Sequence, residues 1–407
     1  MKSIRNIKQS IVAVFICCLL FSACSEDPIG QYPIDSTPPK PISNPRVTNF
    51  SGGATITYDL PDETDLSYVQ ALFTLPNGKK QDIKVSSFSN VLTLKGFARS
   101  HEYKLQLVAV DKSRNESTPV EVTIQPNDAI IYDLIKSLEY KTARGGMNVK
   151  WENAIQDEVT VTFLKKNQAG VYEFIDAFYS TEKNPQRSIR GLDAVPTTFA
   201  VFAKDLYNNY TDTMEFQLAP LYEQMIDNKN FREMPKLPAF VLHSWGTSSL
   251  SVIWDDVLVA GAVAGQVYYI TTPGDISAYF TMDLGVKVKL SRFRIWGRSD
   301  FYFRLNNPYD FYLMGTNDLT VAQNAASTDE QWGGPLINCI SYRPSGADAT
   351  VPAAGEDLAY AQAGEEFEFT NDEPAVRYIR FRVRKAWNAT LNLHLAEIRF
   401  WGEPINE

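Results

Sequence analysis

Three kinds of hydrophobic pattern follow one another along the 407 residues. The first is a continuous apolar run, Ile11 to Phe21, behind Lys2, Arg5 and Lys8 and ahead of the small residues Ser22 and Ala23. This is the layout of a secretory signal, and the run is too short for the ~20 residues a membrane-spanning helix needs. Residues 25–44 show no periodicity and hold five of the 22 prolines, which predicts a semi-rigid tether. From Pro45 the chain turns to short alternating runs. Ala54–Leu60, Tyr68–Phe73 and Tyr103–Val110 each show period two with β-branched or aromatic residues, which predicts half-buried strands. Pro76-Asn77-Gly78 reads as a hairpin turn between two of them. Residues 219–240 lose the alternation and end in Pro235 and Pro238, which predicts a connector with a short helical turn. Beyond 241 the runs lengthen and aromatics become denser. No long helical pattern competes anywhere, so the predicted class is all-β.

Composition narrows the picture. The chain carries 39 basic and 48 acidic residues. Removing residues 1–24 takes three basic residues and no acidic ones, which leaves 36 against 48 and a net charge of −12. Such a chain has no electrostatic footprint for nucleic acid. Hydrophobic content of 44% and aromatic content of 12% argue for packed cores rather than disorder. Of four cysteines, Cys17 and Cys18 leave with the signal and Cys24 closes it, so Cys339 stands alone in the apolar run 335–340. One thiol makes no intrachain disulfide, and its setting predicts an inert buried group.

An internal repeat organises the middle of the chain. Asp111-Lys-Ser-Arg-Asn115-Glu-Ser117 is echoed by Asp205-Leu-Tyr-Asn-Asn209-Tyr-Thr211 at an offset of 94, and Leu94-Lys-Gly-Phe97 by Ile189-Arg-Gly-Leu192 at 95. Asp111 and Asp205 suit Asx turns that satisfy backbone donors in a hairpin. Units of about 90 residues with short strands fit an immunoglobulin-like sandwich. At the repeated site they resemble the fibronectin type III family. Leu94 with Tyr103 suits that family's tyrosine corner, Thr197 replaces the tyrosine in the second unit, and Trp151 matches the buried tryptophan of an early strand. The predicted division is 1–24 signal, 25–44 tether, 45–126 and 127–218 fibronectin-like units, 219–240 linker and 241–407 C-terminal domain.

Two sets of segments in that last domain carry a second resemblance. Ala278-Tyr-Phe-Thr-Met-Asp-Leu-Gly285, Ala375-Val-Arg-Tyr-Ile-Arg-Phe-Arg-Val383 and His394-Leu-Ala-Glu-Ile-Arg-Phe-Trp-Gly402 occur in the order of the discoidin family, also called coagulation-factor C-type or galactose-binding-like domains. The resemblance implies a jelly-roll β-sandwich with binding loops at one end. Sugars present flat C–H faces edged by hydroxyls, so their sites pair aromatic platforms with polar side chains. Arg298, Tyr302, Asn306 and Asn307 offer that mixture in one predicted loop, and Trp245, Trp332 and Trp387 lie in further loop-like stretches. The resemblance also implies a structural Ca²⁺ held by Asp255, Asp256 and Glu397, although Asp-Asp replaces the usual Asp-Gly after Trp254. Alternation sets the arginines of 292–294 and 377–384 on outer faces as cross-strand partners of acids. Trp296 and Trp401 read as core.

Cys24, directly after small residues, resembles the acylated cysteine of a bacterial lipobox, which implies a membrane contact through lipid alone. Ser25-Glu26-Asp27 resembles the export tag of surface lipoproteins in Bacteroides-like bacteria. The whole order resembles lipoproteins of their glycan-utilisation loci. The function expected is therefore a non-catalytic outer-membrane lipoprotein facing the exterior and binding a glycan or polysaccharide, alongside partner outer-membrane proteins. A periplasm-facing protein, an adhesin or scaffold binding other proteins, and an accessory glycoside-active enzyme are the alternatives. No nucleophile elbow, His-Glu-x-x-His or phosphate loop is present, and the three histidines His101, His243 and His394 are scattered.

Overall fold

In the computed structural model, the described residues are 35–405 apart from 76–77, 243–248, 259–265 and 347. Cys24, the signal, the first part of the tether, Trp245, His243 and two residues of the Pro76-Asn77-Gly78 turn lie outside them. Gly78 itself sits at φ +80°, the left-handed conformation a tight turn needs.

Alternation builds the first sandwich. Strands β1 (Ser43–Phe50), β2 (Gly53–Asp59), β3 (Leu66–Thr74), β4 (Lys80–Ser86), β5 (Val91–Lys95), β6 (Tyr103–Asp111) and β7 (Val120–Ile124) pair antiparallel. They form a sheet of order β1-β2-β5 and another of order β4-β3-β6-β7. Their inner faces enclose Tyr58, Val69, Leu92, Phe97 and Leu107. The second unit repeats this plan with β8 (Glu139–Ala143), β9 (Gly146–Lys150), β10 (Val159–Lys166), β11 (Tyr172–Ser180), β12 (Gln186–Arg190), β13 (Thr197–Asp205) and β14 (Met214–Leu218), in orders β12-β9-β8 and β11-β10-β13-β14. Both are fibronectin III-like sandwiches of three strands on four. Tyr103 closes its corner by donating to the Arg99 carbonyl at 3.1 Å, and Thr197 makes a shorter version with the Val195 carbonyl at 3.1 Å. Trp151 is buried, as expected of it. One helix departs from the alternating pattern: Ile130–Ser137 opens the second unit and buries Ile130, Ile131, Tyr132 and Leu134 in its core.

Both repeated hairpins are Asx turns. Asp111 Oδ1 accepts from the Asn115 amide at 2.8 Å, and Asp205 Oδ1 from Asn209 at 2.9 Å. The asparagine of each then grips what precedes its unit. Asn115 Nδ2 donates to the carbonyls of Asp35 (3.3 Å) and Thr37 (3.4 Å) in the tether, while Asn209 Nδ2 donates to the Gly96 carbonyl (3.3 Å) of the first unit.

The C-terminal sandwich is built from β15 (Gln224–Met225), β16 (Arg232–Glu233), β17 (Val241–Leu242), β18 (Tyr268–Thr271), β19 (Tyr279–Trp296), β20 (Pro308–Thr316), β21 (Pro335–Ile340), β22 (Glu365–Glu368), β23 (Val376–Ala386), β24 (Leu393–Leu395) and β25 (Glu397–Ile405). β19 unites what read as two segments. Its first half pairs β23 and its second half pairs β25 and β22. The chain folds over at Gly285 (φ +76°), whose amide donates to Asp283 Oδ1 at 2.7 Å. A Cβ on Gly285 would stand 2.7 Å from Asn230, so no larger residue fits there. A further sheet, β17-β18-β24, packs on the same core. That core is aromatic, with Phe381 stacked between Phe280 (5.1 Å) and Phe311 (4.7 Å).

The segment 219–240 is more than a connector. It holds the expected helical turn at Asn228–Asn230, but β15 pairs β25, β16 pairs β19, and Ile226, Phe231 and Phe240 are buried in the C-terminal core. Prolines and sparse alternation hid this, because two-residue edge strands carry no periodic signal. The joint to the second unit is charged, and each of its guanidinium groups meets a carboxylate. Arg144 meets Glu403 at 2.7 Å, Arg190 and Ser188 both meet Glu368, and buried Glu223 holds Arg292 at 3.0 Å and Ser291 Oγ at 2.5 Å. The outer-face arginines pair with acids as expected: Arg294 with Glu366, Arg377 with Asp283, Arg382 with Asp329 and Arg384 with Asp310. Arg380 differs. It is buried, donates to Thr281 Oγ1 (2.9 Å) and the Ser327 carbonyl (2.8 Å), and lies between the Trp332 and Tyr279 rings.

Candidate functional site

Three connections converge at the end of the C-terminal sandwich where β19 stops: residues 297–307, 341–364 and 387–392. Backbone bonds lace them together. The Trp387 amide donates to the Asn307 carbonyl (3.0 Å), Asn388 to Leu305 (2.9 Å), His394 to Asn306 (2.7 Å) and Ser341 to Tyr309 (2.7 Å). The joint with the second unit engages the far ends of β22 and β25, so these loops point away from it.

The structure brings most of the expected residues of the 297–307 loop together, but turns them inward. Tyr302, Asn306, Asn307 and Trp387 are all buried. They act as a scaffold rather than an open platform. Asn307 Oδ1 accepts from the Arg298 amide (2.8 Å) and its Nδ2 donates to the Phe301 carbonyl (2.6 Å). Asn306 Oδ1 accepts from Asn388 Nδ2 (3.0 Å) and Thr390 Oγ1 (2.8 Å), and its Nδ2 reaches the Tyr269 hydroxyl (3.1 Å). These bonds hold Phe303 at φ +56° and Leu305 at φ +50°, conformations that bulky side chains rarely adopt. Arg298 is closed onto its own loop by a bidentate pair with Asp300 at 2.7 and 2.8 Å.

Trp332 lies elsewhere. It sits between β20 and β21 at the opposite end, buried among Tyr312, Met314 and Tyr378, with Nε1 donating to Ser327 Oγ at 2.8 Å. Its Gly-flanked sequence suggested a loop aromatic, yet the ring is the floor under Arg380.

The expected calcium ligands do not fit a cation. Arg399 Nη2 lies 2.9 Å from Asp256 Oδ1 and its Nε 3.5 Å from Glu397 Oε1, so a guanidinium already joins the two carboxylates. Asp255 turns back to accept from the Val257 amide at 3.0 Å. Among the described residues no group of three or more His, Cys, Asp or Glu could hold a metal ion. Glu397 is fully buried, and burial pushes its carboxyl up to about 8 against the opposing pull of Arg399.

Sequence reasoning missed the residues of the 341–364 connection. Tyr342 is 59% exposed, and its ring meets Tyr360 edge-on at 5.7 Å. Tyr360 in turn leans on Phe303 at 6.5 Å, and Phe303 on Trp387 at 5.5 Å, so an open aromatic rests on a buried stack. A fully buried Arg343–Asp357 pair at 2.7 Å braces the connection, with Arg343 Nη1 also donating to the Val351 carbonyl at 3.1 Å. Beneath lies a partly open cavity of about 30 Å³ lined by Tyr302, Phe303, Asn307, Ser341, Glu365 and Trp387. Glu365 accepts from the Tyr342 amide and from Ser341 Oγ (2.8 Å), and burial pushes its carboxyl up to about 7. The only available signal was Glu365-Glu366 opening an alternating run, which reads as an ordinary strand edge.

Three family models match the chain, each described only as a domain of unknown function: DUF4959 over residues 39–126, DUF5126 over 127–229 and DUF5000 over 254–402. No curated protein matches it. Among solved structures, a SusE-like protein is 26% identical, covering 68% of this chain and all of its own, with a TM-score of 0.42. A two-domain fibronectin type III segment of chicken tenascin is 14% identical over 44% of this chain and 99% of its own (TM-score 0.22). The CBM32-3 module of a family 31 glycoside hydrolase from Clostridium perfringens is 13% identical over 44% of this chain and 95% of its own (TM-score 0.28).

Proposed function

We propose that the chain is a non-catalytic, lipid-anchored cell-surface protein that binds carbohydrate at the outer loop end of a discoidin-like C-terminal sandwich. The observation that carries this reading is the exposed Tyr342 ring, propped on Tyr360, with the Tyr342 backbone amide bonded to the Glu365 that lines the cavity. An aromatic face next to hydrogen-bonding groups suits the apolar face and hydroxyl rim of a pyranose. The order of parts supports presentation. The tether meets the first unit at the 111–117 hairpin, while the first unit meets the second at Gly52, Gly96 and Asn127. Two compact units, each about 25 Å or more across, therefore stand between anchor and site.

Charge placement favours binding over hydrolysis. Glycoside hydrolysis uses two carboxyl groups across one bond. At this end Asp357 is consumed by Arg343 and Ser345, which leaves Glu365 as the single carboxyl at the cavity. A glycan array with residues 25–407, wild type against Tyr342→Ala, tests the reading. Binding to at least one polysaccharide class, lost or reduced about tenfold in the variant, is expected. Silence across the array from the wild-type chain sinks it.

A further inference from the structure

The polar groups around the cavity are satisfied with one exception. Asn307 spends its carbonyl and amide on the Arg298 amide and the Phe301 carbonyl, and Ser341 Oγ donates to Glu365 and accepts from Trp387 Nε1 at 3.2 Å. The Tyr302 hydroxyl is buried in the cavity wall without a hydrogen-bond partner. Leaving such a group unpaired in the interior is costly, so the arrangement calls for a guest. Glu365 supplies the complement. Its carboxylate offers roughly four acceptor positions, and Tyr342 and Ser341 occupy two of them. The remaining walls are apolar, with the Phe303 and Trp387 rings 5.5 Å apart.

Size then limits the guest. About 30 Å³ holds one or two water-sized groups and no whole sugar ring. The guest must bring one hydroxyl, to accept from Tyr302 and donate to Glu365, and no more than a carbon or so of apolar bulk. We propose that this cavity receives the exocyclic hydroxymethyl arm of a hexopyranose whose ring lies against Tyr342, and so selects hexose over pentose glycans. The inference rests on the glycan-binding reading and gives it a substrate class. The CH₂ packs on Phe303 and Trp387 while the oxygen meets the Tyr302 hydroxyl and the Glu365 carboxyl, which line the same cavity. A pentopyranose of the same ring stereochemistry lacks the arm and leaves the Tyr302 hydroxyl unpaired.

The test uses matched probes: oligosaccharides of β-1,4-glucan against β-1,4-xylan, and galactose- against arabinopyranose-terminated glycans, titrated calorimetrically into residues 25–407. The hexose member of at least one pair should bind about tenfold or more tightly than its pentose partner. Tyr302→Phe and Glu365→Gln should each lower hexose affinity toward the pentose level, with melting of Tyr302→Phe within a few degrees of wild type. Equal affinity within every pair, unchanged by either variant, overturns the inference in favour of a cavity that holds water only, while leaving glycan binding itself intact. Absence of binding to every probe overturns both.

Discussion

The two ends of the C-terminal sandwich are built from the same residue types and treat them in opposite ways. At the joint with the second fibronectin-like unit, every charge meets its opposite, although Arg144 and Arg190 each keep a buried Nε without a partner: Arg144 pairs with Glu403, Arg190 with Glu368, and Arg292 is shared between Glu223 and Glu366. At the loop end, Tyr302 keeps an unpartnered hydroxyl, Glu365 is held near neutrality by burial, and Phe303 and Leu305 occupy left-handed backbone. Saturated polar groups fix one arrangement; unsaturated ones hold free energy that a ligand can release. The difference is what favours the loop end as the proposed binding end, without appeal to any relative.

The strongest way to break that contrast is Glu223→Ala. Glu223 is buried and gives both carboxylate oxygens to Arg292 and one to Ser291. Its removal leaves a buried guanidinium half-compensated, and a loss of about 3 kcal/mol is expected. Urea unfolding of the whole chain measures it. A loss under about 1 kcal/mol would place this pair among ordinary surface ion pairs, and the contrast between the ends would go with it.

A pH titration probes the other end. Glu365 carries a folded-state value of about 7 against 4.5 for the free side chain. A carboxyl raised on folding binds its proton more tightly in the native state. Its stabilising contribution is therefore complete below about pH 4.5 and is lost as pH rises through 7. The change amounts to roughly 3 kcal/mol across that window, and Glu365→Gln should flatten it. Denaturant midpoints between pH 4.5 and 8 for wild type and variant give the answer. Parallel curves would mean that Glu365 is solvated in solution.

What the sequence disclosed follows from which physical signals are local. Period-two alternation placed β2, β3, β6 and β23, and the Asp-to-Asn repeat correctly announced two Asx hairpins because both partners lie four residues apart. The site was legible only as a neighbourhood. Residues 298–309 were recognised as a loop rich in aromatic and amide groups, yet residue type does not say which way a ring points. Trp332 and Trp387 look alike in sequence; one floors Arg380, the other walls the cavity. Tyr342 and Glu365 were invisible because their roles depend on contacts with Tyr360 and Trp387, 18 and 22 residues away in the chain. The surroundings of the carboxylates expected to hold calcium were hidden for the same reason. Arg399, two residues from Glu397 on the alternating strand, swings to join Glu397 and Asp256, and nothing in the spacing foretells it.

The finest distinction between the ends concerns stored backbone strain, and Leu305 isolates it. At φ +50° its Cβ crowds the following carbonyl, a cost of about 1 kcal/mol that glycine escapes. The side chain is partly exposed and contributes little packing, and the bond from the Asn388 amide ends on its backbone carbonyl, which glycine retains. Against the relief stands the larger unfolded-state entropy of glycine, so Leu305→Gly should stabilise the chain by no more than about 0.5 kcal/mol. Glycan affinity should move the other way, because a loop freed of its enforced geometry holds Tyr302 less firmly at the cavity wall. Differential scanning calorimetry paired with glycan titration reads both quantities. A variant that is destabilised by more than about 1 kcal/mol would show that the Leu305 side chain earns its left-handed place through packing, and the strain at this end would then be incidental to binding.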